Sequence, residues 1–236
     1  MNIIKDYIPR GRPNRPGFSI APKWITAHDT GNASTGADAI SHARYLKGDA
    51  AAKATVSWHF TVDEKKIVQH LPLNESGFHA GDGAGPGNRQ SIGIEICMNA
   101  GGDRLKAEAN AAALIAHLIS TERTLLKFPE CVKQHFDWSG KDCPQVLRRR
   151  PNGWKNFLAE VERVMTPVPA INIIFNGRRA DGITARPKDG KVEVLLGGQW
   201  VWIRDIVNII PGATLGWNVA TQTVDVRVPS PGAKIP

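Results

Sequence analysis

The segment MTPVPA, Met165 to Ala170, constrains the fold more than any other feature of the chain. It places two prolines directly after a stretch with helical spacing, and proline ends a helix because it lacks an amide hydrogen and restricts the residue before it. The sequence after it consists of short apolar runs separated by Gly, Asp and Asn. A chain of 236 residues can bury one sizeable core and one small core. We therefore predict two domains, residues 1–165 and 171–236, joined by a linker at 166–170.

The first domain alternates short strand patterns with longer helical ones, which is typical of an α/β fold with helices covering a sheet. The stretch SWHFTVDEKKIVQHL predicts two strands joined by a turn at residues 63–65, and SIGIEIC predicts a third strand. We predict a helix that starts at Thr35, with Asp38 three positions on, and further helices over residues 104–127 and over NGWKNFLAEVERVM. For the second domain, the pattern predicts strands and hairpins with one helix near residues 204–209.

Composition and charge exclude several classes of protein. Hydrophobic residues make up 42% of the chain and there is no polar low-complexity tract, so we expect a folded protein. No run reaches the 18 apolar residues of a membrane helix, and MNIIKDYIPRGRPNRPG lacks the apolar run of a signal peptide, so we expect no membrane insertion and no Sec export. The net charge of +8 favours polyanions in general. Because the only dense basic run, residues 148–150, has no interleaved aromatic residues, we predict no nucleic-acid partner.

Glu95 lies in the middle of the strand pattern SIGIEIC. The side-chain period of two places the three isoleucines on one face of this strand and Gly93, Glu95 and Cys97 on the other. An ionised carboxylate inside a sheet costs free energy unless something compensates it. Glu95 is therefore paired, exposed at the floor of a cleft, or functional.

Two histidines and a cysteine lie at or just beyond predicted strand ends. His28 ends the apolar stretch of KWITAHDTGN, His135 ends the short run of CVKQHFDW, and Cys143 lies in the turn beyond. Three nitrogen and sulfur ligands with a fourth position for water form the pattern of a catalytic zinc site. The spacing alone is not specific, since the chain has no CxxC or HExxH pair. Cys143 could also form a disulfide that leaves one of three cysteines unpaired, act as a nucleophile with a histidine base, or be a buried thiol.

The segments KWITAHDTGN, SWHFTVDEKKIVQHLPLNESGFHAGDG, GNRQSIGIEIC and QHFDWSGKDCP, in this order and spacing, resemble zinc-dependent N-acetylmuramoyl-L-alanine amidases related to phage amidases and peptidoglycan recognition proteins. The resemblance covers about residues 20–165. It implies a central mixed β-sheet flanked by helices and one zinc ion. It also implies hydrolysis of the amide that joins the lactyl group of muramic acid to L-alanine of the peptide stem, with bacterial peptidoglycan as the partner.

The resemblance also assigns roles to individual residues. By position, His28, His135 and Cys143 match the zinc ligands of the family. Glu95 matches the acid that serves as a proton shuttle in the bacterial and phage members. Lys141 matches a basic residue thought to stabilise the tetrahedral intermediate.

Two further positions concern substrate binding. His79 in FHAGDG matches a segment that lines the substrate groove. Several relatives carry Tyr before the histidine of a YHF motif, whereas this chain has Trp58 before His59, and an indole N–H donates a hydrogen bond but does not exchange a proton as a phenol does. We therefore assign Trp58 and His79 to substrate binding, expect Glu95 to carry more of the acid-base chemistry, and interpret His59 as structural.

The second domain resembles the small repeats named after the copper amine oxidase N-terminal domain, on the hairpins INIIFNGRRADG and GATLGWNVATQTVDV with a helix between them. No histidine follows His135, so we predict no copper site there. The leading hypothesis is a cell-wall-binding module, with a dimerisation or stabilising module as the alternatives. The sequence leaves the oligomeric state open.

Together these features predict a phage or prophage endolysin, made in the cytoplasm and acting on the cell wall after release through a pore or another non-Sec route. A host autolysin with the same activity is one alternative. A peptidoglycan-binding protein without catalysis is another, although binding alone does not require His28, His135, Cys143 and Glu95 together. A thiol peptidase that uses Cys143 is the third.

Overall fold

The computed structural model describes residues 2–166, 172–176, 178–179, 185–188, 191–196, 199–208, 213–218, 220 and 223–227. The chain forms two compact units, Met1–Thr166 and Pro167–Pro236. Residues 167–170 of the predicted linker and residues 228–236 lie outside the described residues. Among the described helices, none has the length and apolar character needed to span a membrane.

The first unit contains one β-sheet with helices around it. Its strands are β1 (Ile3–Lys5), β2 (Trp24–Asp29), β3 (Phe60–Val62), β4 (Ile67–Gln69), β5 (Ser91–Ile96) and β6 (Val132–Gln134). Its helices are α1 (Ala39–Lys47), α2 (Asp49–Ala54), α3 (Pro86–Gln90), α4 (Arg104–Thr121), α5 (Phe136–Ser139), α6 (Gln145–Arg149) and α7 (Gly153–Met165). The strand order is β1-β4-β3-β5-β2-β6, with β3 and β4 antiparallel and the other neighbours parallel. The predicted mixed sheet flanked by helices is confirmed.

Both faces of this sheet are covered. The isoleucines of β5 are fully buried in a cluster with residues of α4 and α7. On the opposite face, Val68 of β4 packs with Ala39 and Ala43 of α1. The face of β5 that carries Gly93 and Glu95 is therefore opposite the main core, as its period-two pattern predicts.

Two predicted helix boundaries are wrong. The first helix begins at Ala39, not near Thr35, because Asp38 is the N-cap and its side chain accepts a hydrogen bond from the Ser41 amide. Helix α4 ends at Thr121 and does not reach residue 127. The chain leaves the helix there because the Leu126 amide donates to the Lys23 carbonyl at 2.9 Å, a tertiary contact that helical periodicity does not encode.

Among its described residues, the second unit is β-rich with one helix, as the sequence pattern predicts. Its elements are β7 (Asn172–Phe175), β8 (Arg178–Arg179), β9 (Ala185–Lys188), β10 (Lys191–Leu196), β11 (Gln199–Trp202), α8 (Ile203–Asn208), β12 (Thr214–Asn218) and β13 (Thr223–Arg227). One sheet has the order β11-β10-β9 and the other β12-β13-β7-β8. A small apolar cluster joins the two sheets and α8, formed by Ile173, Val194, Ile203, Val207, Val224 and Val226.

Candidate metal centre and active site

The sheet topology brings three predicted site residues to one edge. Strand β2 lies between β5 and β6 and runs parallel to both. His28 on β2 is in register with Glu95 on β5, and His135 directly follows the last residue of β6. Because the carboxyl ends of parallel strands meet at the same edge of a sheet, residues far apart in sequence converge there.

The side chains of His28, His135 and Cys143 form one buried cluster. The Nδ1 atoms of the two histidines lie 2.9 Å apart, and Cys143 Sγ lies 3.9 Å from His28 Nδ1. All three donor atoms lie within 4.8 Å of one another. Zinc bonds are about 2.0–2.1 Å long to nitrogen and about 2.3 Å long to sulfur, so tetrahedral ligand atoms lie roughly 3.3–3.6 Å apart. This range falls between the 2.9 Å separation of the two Nδ1 atoms and the 3.9 Å separation of Sγ and Nδ1. The donor set therefore fits a zinc ion held by three protein ligands.

Cys143 is held in the loop after α5 by backbone contacts. The Asp29 amide donates to Cys143 Sγ at 3.4 Å, and the Phe136 amide donates to the Cys143 carbonyl at 3.0 Å. All three cysteines are free thiols, and Cys97 and Cys131 belong to other apolar clusters. Burial, followed by the nearby Glu95 carboxylate, raises the pKa of the Cys143 thiol to about 12. A free thiol in this environment is a poor nucleophile, because the thiolate is the reactive form.

His79 contacts the Nε2 atom of His28. His79 Nδ1 is 3.0 Å from His28 Nε2, and the His79 amide donates to Asn88 Oδ1 at 2.8 Å. The His79 ring packs over Gly93 so closely that a Cβ atom at position 93 would lie 2.8 Å from its Cγ atom. The glycine beside Glu95 therefore makes room for the imidazole. When His28 presents a lone pair on Nδ1, its Nε2 hydrogen donates to His79.

Electrostatics favour neutral imidazoles in this cluster. Burial, together with the neighbouring imidazoles of His79 and His135, holds the pKa of His28 well below its ordinary value. Burial, followed by the Lys141 charge, lowers the pKa of His135 to about 4. Neutral imidazoles keep a nitrogen lone pair available for a cation at neutral pH.

Glu95 lies at the edge of the cluster. Its Oε1 atom is 3.9 Å from His28 Nδ1, and its side chain is 13% exposed. Within the described part of the chain, the buried Oε2 atom has no hydrogen-bond partner. Burial and the Asp29 charge hold the pKa of the Glu95 carboxyl well above its ordinary value, against the opposing charge of Lys141. A carboxyl group with one oxygen unpaired beside a metal-binding cluster is suited to proton transfer.

A cavity of about 470 Å³ covers this cluster. Its walls combine polar and ionisable side chains with aromatic ones. The polar and ionisable residues include Asp29, His42, His79, Glu95, His135, Lys141 and Cys143, and the aromatic residues include Tyr45, Trp58 and Phe78. The volume lies in the range of about 300–1,000 Å³ that is common for ligand sites. Six of the seven predicted site residues therefore line one cavity. The seventh, His28, is buried and contacts three of them, His79, His135 and Cys143.

Trp58 and His59 have different environments. The Trp58 ring lines the cavity, but its Nε1 hydrogen is donated to Thr61 Oγ1 at 2.7 Å and is thereby engaged within the fold. His59 is fully buried. Its Nδ1 accepts from the Gly93 amide and its Nε2 donates to the Glu75 carbonyl. Both ring nitrogens of His59 hold backbone groups, which supports the structural interpretation.

Lys141 is exposed in the loop that carries Cys143 and lines the cavity. The neighbouring Asp142 accepts hydrogen bonds from Arg148 and Arg149, both at 2.9 Å. Arg150, the third residue of the basic run, pairs with Glu108 at 2.8 Å. The basic run therefore forms ion pairs within the fold, and Lys141 is the cation of this loop that lines the cavity.

A buried ionic network surrounds Asp29, a residue that the sequence patterns did not single out. Asp29 pairs with Arg104 and accepts the Val146 amide hydrogen at 2.7 Å. Arg104 also donates to the Ile96 carbonyl at 3.1 Å and to Glu108 at 2.8 Å. The network thus joins the ends of β2 and β5, helix α4 and the start of α6 after Cys143. The only sequence signal was an acidic residue at the end of an apolar strand pattern.

Comparison with known proteins bears on this arrangement. The family model described as N-acetylmuramoyl-L-alanine amidase matches residues 18–146. N-acetylmuramoyl-L-alanine amidase XlyA of Bacillus subtilis (strain 168) is 53% identical over 161 residues, which is 68% of this chain and 51% of that protein. The chain thus spans about half the length of this relative.

Solved structures match the same region. The catalytic domain of XlyA aligns with a TM-score of 0.63 and 52% identity, covering 68% of this chain and 99% of that one. A structure described as a mutant endolysin from Bacillus subtilis aligns with a TM-score of 0.63 and 53% identity over the same shares. From the family match and these alignments, we conclude that the chain belongs to the N-acetylmuramoyl-L-alanine amidase family.

Proposed function

We propose that the protein is a zinc-dependent amidase that hydrolyses the bond between N-acetylmuramic acid and L-alanine of peptidoglycan. The observation that carries this proposal is the buried cluster of His28, His135 and Cys143 beside Glu95. Membership of the amidase family supports the reaction class. The aromatic and polar walls of the cavity suit a substrate that combines a sugar with a peptide.

The residues have distinct roles in this proposal. A zinc ion held by His28, His135 and Cys143 would supply a Lewis acid that polarises the amide carbonyl and allows water to lose a proton near neutral pH. Glu95 takes the proton from the attacking water and returns it to the alanine nitrogen, since an amine leaves poorly until it is protonated. The Lys141 ammonium faces the charge that develops on the carbonyl oxygen.

Trp58 and His79 would complete the site. The indole ring of Trp58 offers an apolar face to the substrate, while its N–H stays bonded to Thr61. His79 lines the cavity and also holds His28, so a substitution there would affect both substrate binding and the metal ligand.

We further propose that the enzyme is an endolysin, because a close structural relative is described by that word. Residues 1–165 would form the catalytic domain, 166–170 the linker and 171–236 a module that binds the cell wall. In this proposal the protein is made in the cytoplasm and reaches the wall through a pore or another non-Sec route. Bacterial peptidoglycan would be the partner of both domains.

Product analysis of purified peptidoglycan tests this function. We expect new amino groups on L-alanine and no new reducing ends, with loss of activity in a chelator and recovery on adding zinc. Glu95→Gln should lower the rate about 10²–10⁴-fold, the usual contribution of acid-base catalysis. Glu130→Gln, at an exposed position outside the cavity, is the matched control. New reducing ends would indicate a glycosidase, and full activity of the metal-free protein would contradict the zinc requirement.

A further inference from the structure

The second unit contains a cavity of about 430 Å³ with no assigned role. Its walls come from β10, the end of β11, the start of α8, β12 and β13. The volume is again within the range of about 300–1,000 Å³ that is common for ligand sites. Two of its lining residues, Ile203 and Val224, are packed in the apolar cluster of this unit.

Two indole rings contribute to the walls of this cavity. Trp217 on β12 is 45% exposed, although it is one of the largest apolar side chains of the unit. The Lys191 ammonium lies over the ring of Trp202, at the end of β11, 4.9 Å from the ring centroid. Indole rings offer flat apolar faces that gain free energy when a ligand covers them, and they lose little conformational entropy in doing so. Indole rings in the walls of one cavity suit the apolar face of a sugar ring.

Charged groups line the same cavity. Lys191, Arg204 and Asp205 are all exposed there, which gives two positive charges and one negative charge. The sequence from residue 171 to 236 is itself basic, with 8 Lys and Arg against 5 Asp and Glu. A purely neutral ligand would leave this excess of positive charge without a complement, whereas a carboxylate would match it. Asp205 can accept hydrogen bonds from hydroxyl or amide groups of the same ligand.

We propose that this cavity binds an amino sugar of the peptidoglycan strand together with a carboxylate of its stem peptide. The inference rests on the proposed function, because it takes the wall polymer as the substrate of the first unit. The sugar lies against Trp202 and Trp217, and the carboxylate lies near Lys191 and Arg204. The second unit then adds a second binding site for the same polymer. Because the two sites are tethered, the second binding event is intramolecular and the chain dissociates from the wall more slowly.

Co-sedimentation with purified peptidoglycan, freed of teichoic acid, tests the proposal on the full chain. All proteins carry Glu95→Gln to slow digestion. We expect Trp217→Ala to raise the Kd about tenfold or more, as loss of a tryptophan that a bound partner covers commonly does. We expect the double variant Lys191→Ala/Arg204→Ala to do the same. Arg227→Ala is the control for charge, since this exposed cation pairs with Asp225 outside the cavity and should change the Kd by less than about twofold.

The outcomes separate the inference from the proposed function. Binding equal to that of the parent, in both Trp217→Ala and the double variant, would overturn the inference. If Trp217→Ala fails to fold, the double variant still tests it, because Lys191 and Arg204 are exposed. Binding that requires walls with teichoic acid would also overturn it, as would a dimer that either variant dissociates. Hydrolysis of a soluble muramoyl peptide by the chain with Glu95 intact is measured separately. Its absence would contradict the amidase function and leave the binding comparison valid.

Discussion

Replacing His79 should weaken metal binding although His79 is not itself a ligand. His79 Nδ1 lies 3.0 Å from Nε2 of His28, and both side chains are buried. With leucine at position 79, the Nε2 hydrogen of His28 loses its acceptor in the interior, which costs about 1–3 kcal/mol. Residues that orient metal ligands typically contribute about 10–100-fold to metal affinity, or about 1.4–2.8 kcal/mol. The two magnitudes agree, so we expect His79→Leu to raise the zinc Kd by that factor.

The conservative variant distinguishes orientation from packing. In His79→Asn, the side-chain oxygen can take the place of Nδ1 as the acceptor, so we expect it to bind zinc more tightly than His79→Leu. His117→Leu, at an exposed position of α4, controls for the loss of a histidine elsewhere. Zinc competition against a chromogenic chelator gives the Kd, and urea unfolding of the metal-free proteins gives their stability.

A purely structural role predicts a different pattern. In that case His79→Leu and His79→Asn would lose stability as metal-free proteins while their zinc Kd stayed within about twofold of the parent value. That result would refute the proposed orienting hydrogen bond.

Two more variants test the surroundings of the site. Burial lowers the pKa of His59 from 6.5 to about 4. Between these pH values the unfolded chain takes up a proton at this residue and the folded chain does not. The free energy of unfolding should therefore fall by up to about 3 kcal/mol as the pH drops from 6.5 to 4. Urea unfolding of His59→Asn should show a weaker fall, and an unchanged slope would contradict the assignment. Gly93→Ala should cost about 1–3 kcal/mol, since the new methyl group would overlap the His79 ring; stability equal to the parent in the same assay would show that the ring can shift.

The main parts of the site were predictable because they depend on strand ends. Period-two alternation placed Glu95 opposite the core isoleucines, and apolar runs placed His28 and His135 where two strands end. Parallel neighbours then bring such residues to one edge whatever the length of the connections between them. The fold class followed from the same alternation of strand and helix patterns.

The supporting contacts were not predictable, because they depend on tertiary register. His79 meets His28 across 51 positions, and Asp29 meets Arg104 across 75. The end of α4 is likewise set by the contact between Leu126 and Lys23, which lies outside the helix. A single sequence carries no local signal for such pairs. The absence of a side chain at Gly93 is consistent with the close approach of the His79 ring, but it does not identify that residue.

The central claim is that His28, His135 and Cys143 bind one zinc ion, and cobalt substitution tests it most directly. Thiolate bound to cobalt gives a near-ultraviolet charge-transfer band, so the protein loaded with one equivalent of cobalt should show it. Cys143→Ser should abolish the band, while Cys97→Ser and Cys131→Ser, which alter buried thiols in other clusters, should retain it. A band that persists in Cys143→Ser, or a parent protein that binds no cobalt or zinc, would contradict the account.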